Sequence, residues 1–423
     1  DAGAGAVAVA DGAPVEVGIV LDRTAFYGEA GGQVADVGRL VGADGVDVEF
    51  EVAHVQAYGG FVLHSGVLRK GSVAAGETRM RCEVSYERRK KVAPNHTMSH
   101  VLNAALAKVL GDGVAQKGSL CDDAKLRFDF SHGGALKPSE LAEVESIVRQ
   151  SIAESLEVHS AVVPLDEARE KLPGLRAVFG EAYPDPVRVV SVGASVESLL
   201  EGETSAAAVA TTAAPPGASV EFCGGTHLRN TAEAADFALV EETAVAKGVR
   251  RVMGVTGAPA LQAIARGAEL EAELARTPAA RGPLADYKAK LDAATISAVQ
   301  KGALRERLAA LDKAAAAEAK KAANAIAQRA SEAIATAAAE AAAAGRRFVV
   351  VTLDEGVDSK GVQAALKRVG KEVSNVAVLA FAPPADADGK LACIAAVPAE
   401  LAVAAGGRRG SEERHMRWGR KHV

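Results

Sequence analysis

Aromatic residues make up only 4% of this 423-residue chain, with a single tryptophan, yet hydrophobic residues reach 49%. Ala, Val and Leu must therefore fill the cores. Cysteine is sparse as well. The four are scattered, which excludes a disulfide framework and suits a reducing compartment, cytoplasmic or organellar rather than secreted. Neither sign of charge dominates: the formal net charge is −5. Bulk charge does not draw such a chain to nucleic acid, so any RNA contact has to come from local basic patches. No apolar run approaches the roughly 20 residues of a membrane span. The first residue is Asp1 and the opening is acidic and Ala/Gly-rich, neither a signal peptide nor an Arg-rich transit peptide. It reads as a chain cut from something longer.

What is present points to a multidomain α+β chain, with two to four domains expected from the length. Residues 1–84 read as a small β-barrel. Val15 to Leu21 alternates partly and Val46 to Val52 cleanly, and glycines at 31, 32, 38, 42 and 45 punctuate the turns. Residues 85–257 read as an α/β domain: a helix over 86–110 interrupted by Pro94, a strand at 124–131, a helix from Pro138 to Glu157, and strands at 187–193 and 219–223. Residues 194–218, low in complexity and ending Pro215-Pro216-Gly217, read as an inserted surface loop. Residues 258–345 are rich in Ala, Glu, Lys, Arg and Leu and contain no glycine between 303 and 344. That composition predicts a helical hairpin hinged at Gly282-Pro283, or a coiled-coil spacer. Residues 346–405 read as a small α/β module, and 406–423 as a basic tail holding Trp418.

Two short pairs of metal-ligand residues organise the chain. In His96-Thr97-Met98-Ser99-His100 both imidazoles leave one helix face, a turn apart. In Cys223-Gly224-Gly225-Thr226-His227 the glycines predict a turn that aims Cys and His at one point. One thiolate and three imidazoles suit a tetrahedral zinc ion. Thr97 stands where His-Glu-x-x-His metalloproteases keep their general base, so a protease reading lacks its base. The spacing is not the Cys-x-x-Cys of a finger or ribbon either.

Six blocks, in order, resemble alanyl-tRNA synthetase over residues 15–257. They are Thr24-Ala25-Phe26-Tyr27-Gly28-Glu29-Ala30-Gly31-Gly32-Gln33 with Asp36 and Gly38; Asn95 to His100; Gln116-Lys117-Gly118-Ser119-Leu120; Leu126 to His132; Phe222 to His227; and Gly248 to Arg251 with Val255-Thr256-Gly257. The resemblance implies a barrel, a zinc editing domain and a looser C-terminal match, with the ATP-using aminoacylation domain absent. It implies hydrolysis of Ser-tRNA(Ala) and Gly-tRNA(Ala), with Thr24 and Gln116 as selecting and catalytic polar groups. Gly31, Gly32, Arg127 and Asp129 would line the substrate pocket, and Arg88, Arg89, Arg250 and Arg251 would meet tRNA(Ala). The C-terminal module would bind tRNA or form a homodimer. Gly31-Gly32 reads either as a plain hairpin turn or as a loop over the pocket. The ion would activate water or position substrate. A threonyl-tRNA synthetase editing domain, a free-standing trans-editing deacylase and a non-catalytic tRNA-binding module with structural zinc remain the alternatives.

Overall fold

The computed structural model describes residues 6–401 except 10–12, 112, 179–180, 203–217, 355–356, 358, 374, 384–390 and 399–400. The low-complexity core of the expected surface loop and the basic tail with Trp418 lie outside these described residues. The chain forms two compact units, Asp1–Thr277 with Asp286–Arg307, and Pro278–Ala285 with Leu308–Val423.

The first unit opens with strands β1 (Val7–Ala8), β2 (Val15–Val20), β3 (Gly38–Gly42), β4 (Glu49–Tyr58), β5 (Phe61–Lys70), β6 (Ser72–Val73) and β7 (Met80–Val84). Five of them form an antiparallel sheet in the order β2-β5-β4-β3-β7. Strands β4 and β5 turn on Gly59 and Gly60, both at positive φ (55° and 88°), the backbone a two-residue hairpin with right-handed twist requires. The inward side chains Leu40, Phe50, Val52, Val55 and Leu68 make the core. Among the described residues β2 and β7 are edges and no ladder joins them. The expected barrel is therefore an open five-stranded sheet.

Helix α1 (Tyr86–Leu110) follows, then β8 (Gln116–Cys121), β9 (Leu126–Ser131), α2 (Pro138–Ala153), β10 (Val158–Val163), α3 (Leu165–Lys171), β11 (Val187–Val192), α4 (Val196–Leu200), β12 (Ser219–Phe222), β13 (Phe237–Ala246) and β14 (Val249–Thr256). Strands β13-β14-β9-β8 form one antiparallel sheet and β10-β11-β12 another. Helix α1 runs unbroken through Pro94 and is buried continuously from Val92 to Leu106. Its Met98, Val101, Leu102, Ala105 and Leu106 pack with Phe128, Phe130, Val144, Val148, Phe237 and Val252. Few aromatics suffice because three of the ten phenylalanines meet in this one core.

Beyond β14 come helices α5 (Gly257–Arg276), α6 (Arg281–Ala293) and α7 (Ala298–Ala343). The expected hinge at Gly282-Pro283 instead lies in the first turn of α6, where a missing N–H costs nothing because those first amides have no helical partner. The breaks fall at residues 277–280 and 294–297. Within the first unit Tyr287 Oη donates to Leu270 O at 2.9 Å and ties α6 to α5.

The second unit holds a three-stranded sheet of β15 (Phe348–Thr352), β16 (Ala377–Ala382) and β17 (Ala392–Ala396) with helix α8 (Ser359–Val369). Strands β15 and β16 are parallel, joined across α8, and β17 is antiparallel to β16. Val362, Leu366 and Val369 of α8 pack with Val351, Val378 and Ala380 of the sheet, and with Ala330, Ile334 and Ala338 of α7.

Candidate metal centre

Helix α1 buries Asn95, His96, Thr97, Ser99, His100 and Asn103 inside an apolar core. Burying a polar group without a partner costs about 1–3 kcal/mol, so six in nine residues demand partners. Ser99 donates to His96 O at 2.7 Å, and Asn95 Nδ2 donates to Asp122 O at 2.9 Å. The other four turn to one centre. His96, His100 and Asn103 share a helical stripe, and the turn after β12 brings Cys223 and His227 to it. One ligand atom from each of His96, His100, Cys223 and His227 lies within 4.8 Å of all the others. Cys223 Sγ is 3.4 Å from His96 Nε2 and 3.3 Å from His227 Nε2.

The turn is clamped by Arg188 of β11, whose Nη1 donates to Cys223 O at 3.1 Å and Gly225 O at 2.7 Å. Gly225 has no room for a side chain: a Cβ there would fall 2.1 Å from His96 Cε1 and 2.9 Å from Gln33 Oε1. Each outer ring nitrogen of two histidines has a partner. His96 Nδ1 meets Gln33 Oε1 at 2.5 Å, and His227 Nδ1 meets Thr97 Oγ1 at 3.2 Å. Thr97, which cannot serve as a base, thus orients a ligand instead and also accepts from Leu228 N at 3.0 Å. His100 Nε2 is 3.6 Å from Glu221 Oε2, and Asn103 Nδ2 donates to Glu221 Oε1 at 2.9 Å.

The donor set fits a cation. Burial lowers the pKa of His96 and His227 well below the usual imidazole range and that of His100 to about 3, leaving neutral lone pairs. Burial pushes the Cys223 thiol up to about 11 and the Glu221 carboxyl up to about 7. Desolvation outweighs the nearby Arg188 guanidinium at Cys223, so a buried thiolate remains unfavourable there, and a dication would supply further positive charge. His100 Nδ1 is buried without a hydrogen-bond partner, which leaves one nitrogen of that ring open to a metal ion. These residues can hold one metal ion.

The other expected residues sit around this centre in different ways. Gly31 and Gly32 (φ +56° and +82°) make a tight turn between Ala30 and Gln33. The turn lies on β8: Cys121 N donates to Gly32 O at 2.7 Å, and a Cβ on Gly32 would fall 2.3 Å from Ser119 Oγ. Gln116 begins strand β8, and its Nε2 donates to Ser119 Oγ at 3.1 Å. Thr24 Oγ1 pairs with His64 Nε2 at 2.8 Å and accepts from Phe26 N at 3.1 Å. Arg127 and Asp129 lie on β9, where Asp129 takes both Nε and Nη2 of Arg251 at 2.6 and 2.7 Å. Arg250 pairs with Glu242, Arg89 with Asp36 and Ala25 O, and Arg88 with Ala35 O. These arginines brace local structure in the free chain.

Three supporting residues escaped the sequence reading: Gln33, Glu221 and Arg188. Glu221 had a signal, since alternation along β12 puts it on the same side as Cys223. Arg188 and Gln33 had none beyond Gln33's place in the glycine turn.

Residues 7–88 match a family model described as tRNA synthetases class II (A), and residues 187–253 match one described as threonyl and alanyl tRNA synthetase second additional domain. Over 396 residues the chain is 36% identical to the cytoplasmic alanine–tRNA ligase of Bombyx mori, covering 90% of this chain and 40% of that protein. It is 40% identical over 306 residues to the alanine–tRNA ligase of Schizosaccharomyces pombe, covering 70% and 31%. With the cytoplasmic alanine–tRNA ligase of Dictyostelium discoideum it shares 45% over 259 residues, covering 60% and 26%. The chain therefore spans less than half the length of these curated relatives.

Proposed function

We propose, on the premise that this chain belongs to the alanyl-tRNA synthetase family and matches part of it, that its four-ligand centre holds one zinc ion and hydrolyses tRNA(Ala) mischarged with serine or glycine. The observation that carries this is the convergence of His96, His100, Cys223 and His227 within 4.8 Å. An activating pocket for alanine cannot firmly reject a side chain that adds a hydroxyl or lacks a methyl, because such differences amount to about 1–3 kcal/mol. A second site has to select on different chemistry.

When bound, zinc supplies Lewis-acid polarisation of an ester carbonyl or of water. The chain's own groups do the rest. The three imidazoles stay neutral and the Cys223 thiol gives up its proton on loading. Thr24 selects as an acceptor. His64 Nδ1 lies 3.0 Å from Ile19 O, an acceptor that only an N–H can satisfy, so His64 Nε2 takes the Thr24 proton. A serine hydroxyl must therefore donate to Thr24 Oγ1, and alanine has none to donate; this contact separates serine from alanine only. Gln116 spends an N–H on Ser119, which leaves its carbonyl to orient water or the amino group of the substrate. Gly31 and Gly32, with Arg127 and Asp129, shape the pocket wall, and Arg88, Arg89, Arg250 and Arg251 meet the tRNA backbone. We divide the chain into a β-sheet domain (1–84), an editing domain (85–257), a helical spacer (258–345), a tRNA-binding or dimerising module (346–405) and a basic tail (406–423). No residue here is assigned to ATP-dependent ligation of alanine, the activity the relatives are named for. Relatives named as cytoplasmic and mitochondrial favour the cytoplasm or an organelle as the compartment.

The test is serine release from Ser-tRNA(Ala) by the purified chain, with metal content measured alongside. We expect hydrolysis that chelation abolishes and zinc restores, with Ala-tRNA(Ala) spared. A zinc-loaded chain that binds tRNA(Ala) but releases no serine would leave a non-catalytic tRNA-binding module.

A further inference from the structure

We infer that Gln33 is a positioning residue for the metal: it fixes the ring and tautomer of His96 and so decides how tightly the ion is held. Gln33 is 1% exposed, and both ends of its amide are engaged. Oε1 accepts from His96 Nδ1–H at 2.5 Å and from Thr226 N at 2.9 Å, while Nε2 donates to Thr226 Oγ1 at 2.9 Å. An oxygen that accepts on Nδ1 requires the proton there, which leaves His96 Nε2 as the lone pair aimed toward Cys223. One side chain thus grips a ligand from α1 and the Thr226 that sits between ligands Cys223 and His227.

Two further observations converge on this contact. Gly225 is barred from carrying a side chain by both partners of the pair, His96 and Gln33, so the ligand turn is shaped around it. The glycine turn that presents Gln33 is itself anchored: Gln33 bridges Cys121, and Val34 N donates to Cys121 O at 3.1 Å. Gln33 belongs to the segment that leads into the five-stranded sheet, not to the elements bearing the ligands. The sheet's loop therefore completes the metal centre from outside it. Supporting groups of this kind set metal affinity by about 10–100-fold.

The inference rests on the metal reading of the four ligands and not on deacylation, so its test reads metal binding. Zinc affinity is measured by chelator competition on the full chain for wild type, Gln33→Leu and Gln33→Glu, with the visible absorption of the cobalt(II)-loaded forms. Gln33→Leu removes the acceptor, and should weaken zinc by about 10–100-fold and change the cobalt spectrum. Gln33→Glu keeps an oxygen facing His96 Nδ1–H and should recover most of the affinity and the wild-type spectrum. Should the leucine variant fail to fold, Gln33→Met keeps the length without the acceptor and is expected to behave as leucine would. Wild-type zinc affinity and an unchanged cobalt spectrum in Gln33→Leu or Gln33→Met would overturn the inference. So would a glutamate variant as weak as the leucine one. A wild-type chain that takes up no zinc would end the metal reading and this one with it. Zinc uptake without serine release would end only the deacylase reading.

Discussion

Helix α1 carries Pro94, two histidines, two asparagines, Ser99 and Thr97, and is buried from Val92 to Leu106. Helix α7 is alanine-rich over 46 residues, and from Asp312 to Ala325 every residue except Ala315 is exposed. The first is a poor helix former held by its surroundings; the second is a strong helix former with few surroundings. Intrinsic propensity amounts to less than about 1 kcal/mol per ordinary residue, so tertiary packing readily overrides it in α1. Polar residues placed in such a packed helix are expensive to bury and cheap to lose. Their presence in α1 marks a site, whereas the charges along α7 mark a solvated face.

The comparison predicts that single changes near α1 have large, specific effects and changes along α7 small, local ones. The largest is expected for Cys223→Ala. It removes the only anionic ligand, and should lower zinc affinity by more than the roughly 10–100-fold that loss of a supporting group brings. Serine release from Ser-tRNA(Ala) should fall with it, and normal zinc content together with normal hydrolysis would break the assignment. Next, Leu102→Ala, fully buried against α1's neighbours, should destabilise the first unit by about 2–5 kcal/mol, read by denaturant unfolding.

Thr24→Val should cut the preference for Ser-tRNA(Ala) over Ala-tRNA(Ala) by roughly three- to a hundred-fold, the range a lost buried hydrogen bond spans. It also leaves His64 Nε2 buried without its partner, which adds about 1–3 kcal/mol of destabilisation. Thr24→Ser restores the hydroxyl, so selectivity that tracks the hydroxyl, with zinc retained throughout, separates selection from folding. An unchanged ratio would move the selecting role to Gln116 or the backbone. The smallest effect is expected for Ala317→Gly, about 1 kcal/mol of local helix stability with no change in zinc binding. A loss of zinc there would erase the distinction between the two helices.

Much of this is legible in the sequence. Strand β9, helix α2 and strands β11 and β12 fall within a few residues of the positions read from periodicity. The ligand pairs were legible because each is local: four residues along a helix, or four around a glycine turn, bring both members to one side whatever the rest of the chain does. The misread features are not local. Closure of the first sheet depends on whether its edge strands β2 and β7 meet, and alternation along a strand says nothing about which edges pair. The helical break went to residues 277–280 because Gly and Pro are tolerated in a first turn as readily as at a hinge.

By itself the sequence determined the ligand types, their spacing, the helical and strand segments and the glycines that permit the two turns, all consequences of covalent geometry and short-range sterics. Only the tertiary structure decided that the two pairs face each other across 127 residues. It also decided that Gln33 rather than Thr24 touches the candidate metal centre, that Glu221 lies beside His100, and that Thr24 pairs with His64. Those outcomes depend on which buried donor finds which acceptor. Such partners are set by long-range packing, where every unpaired group costs free energy and every candidate partner lies far away in the chain.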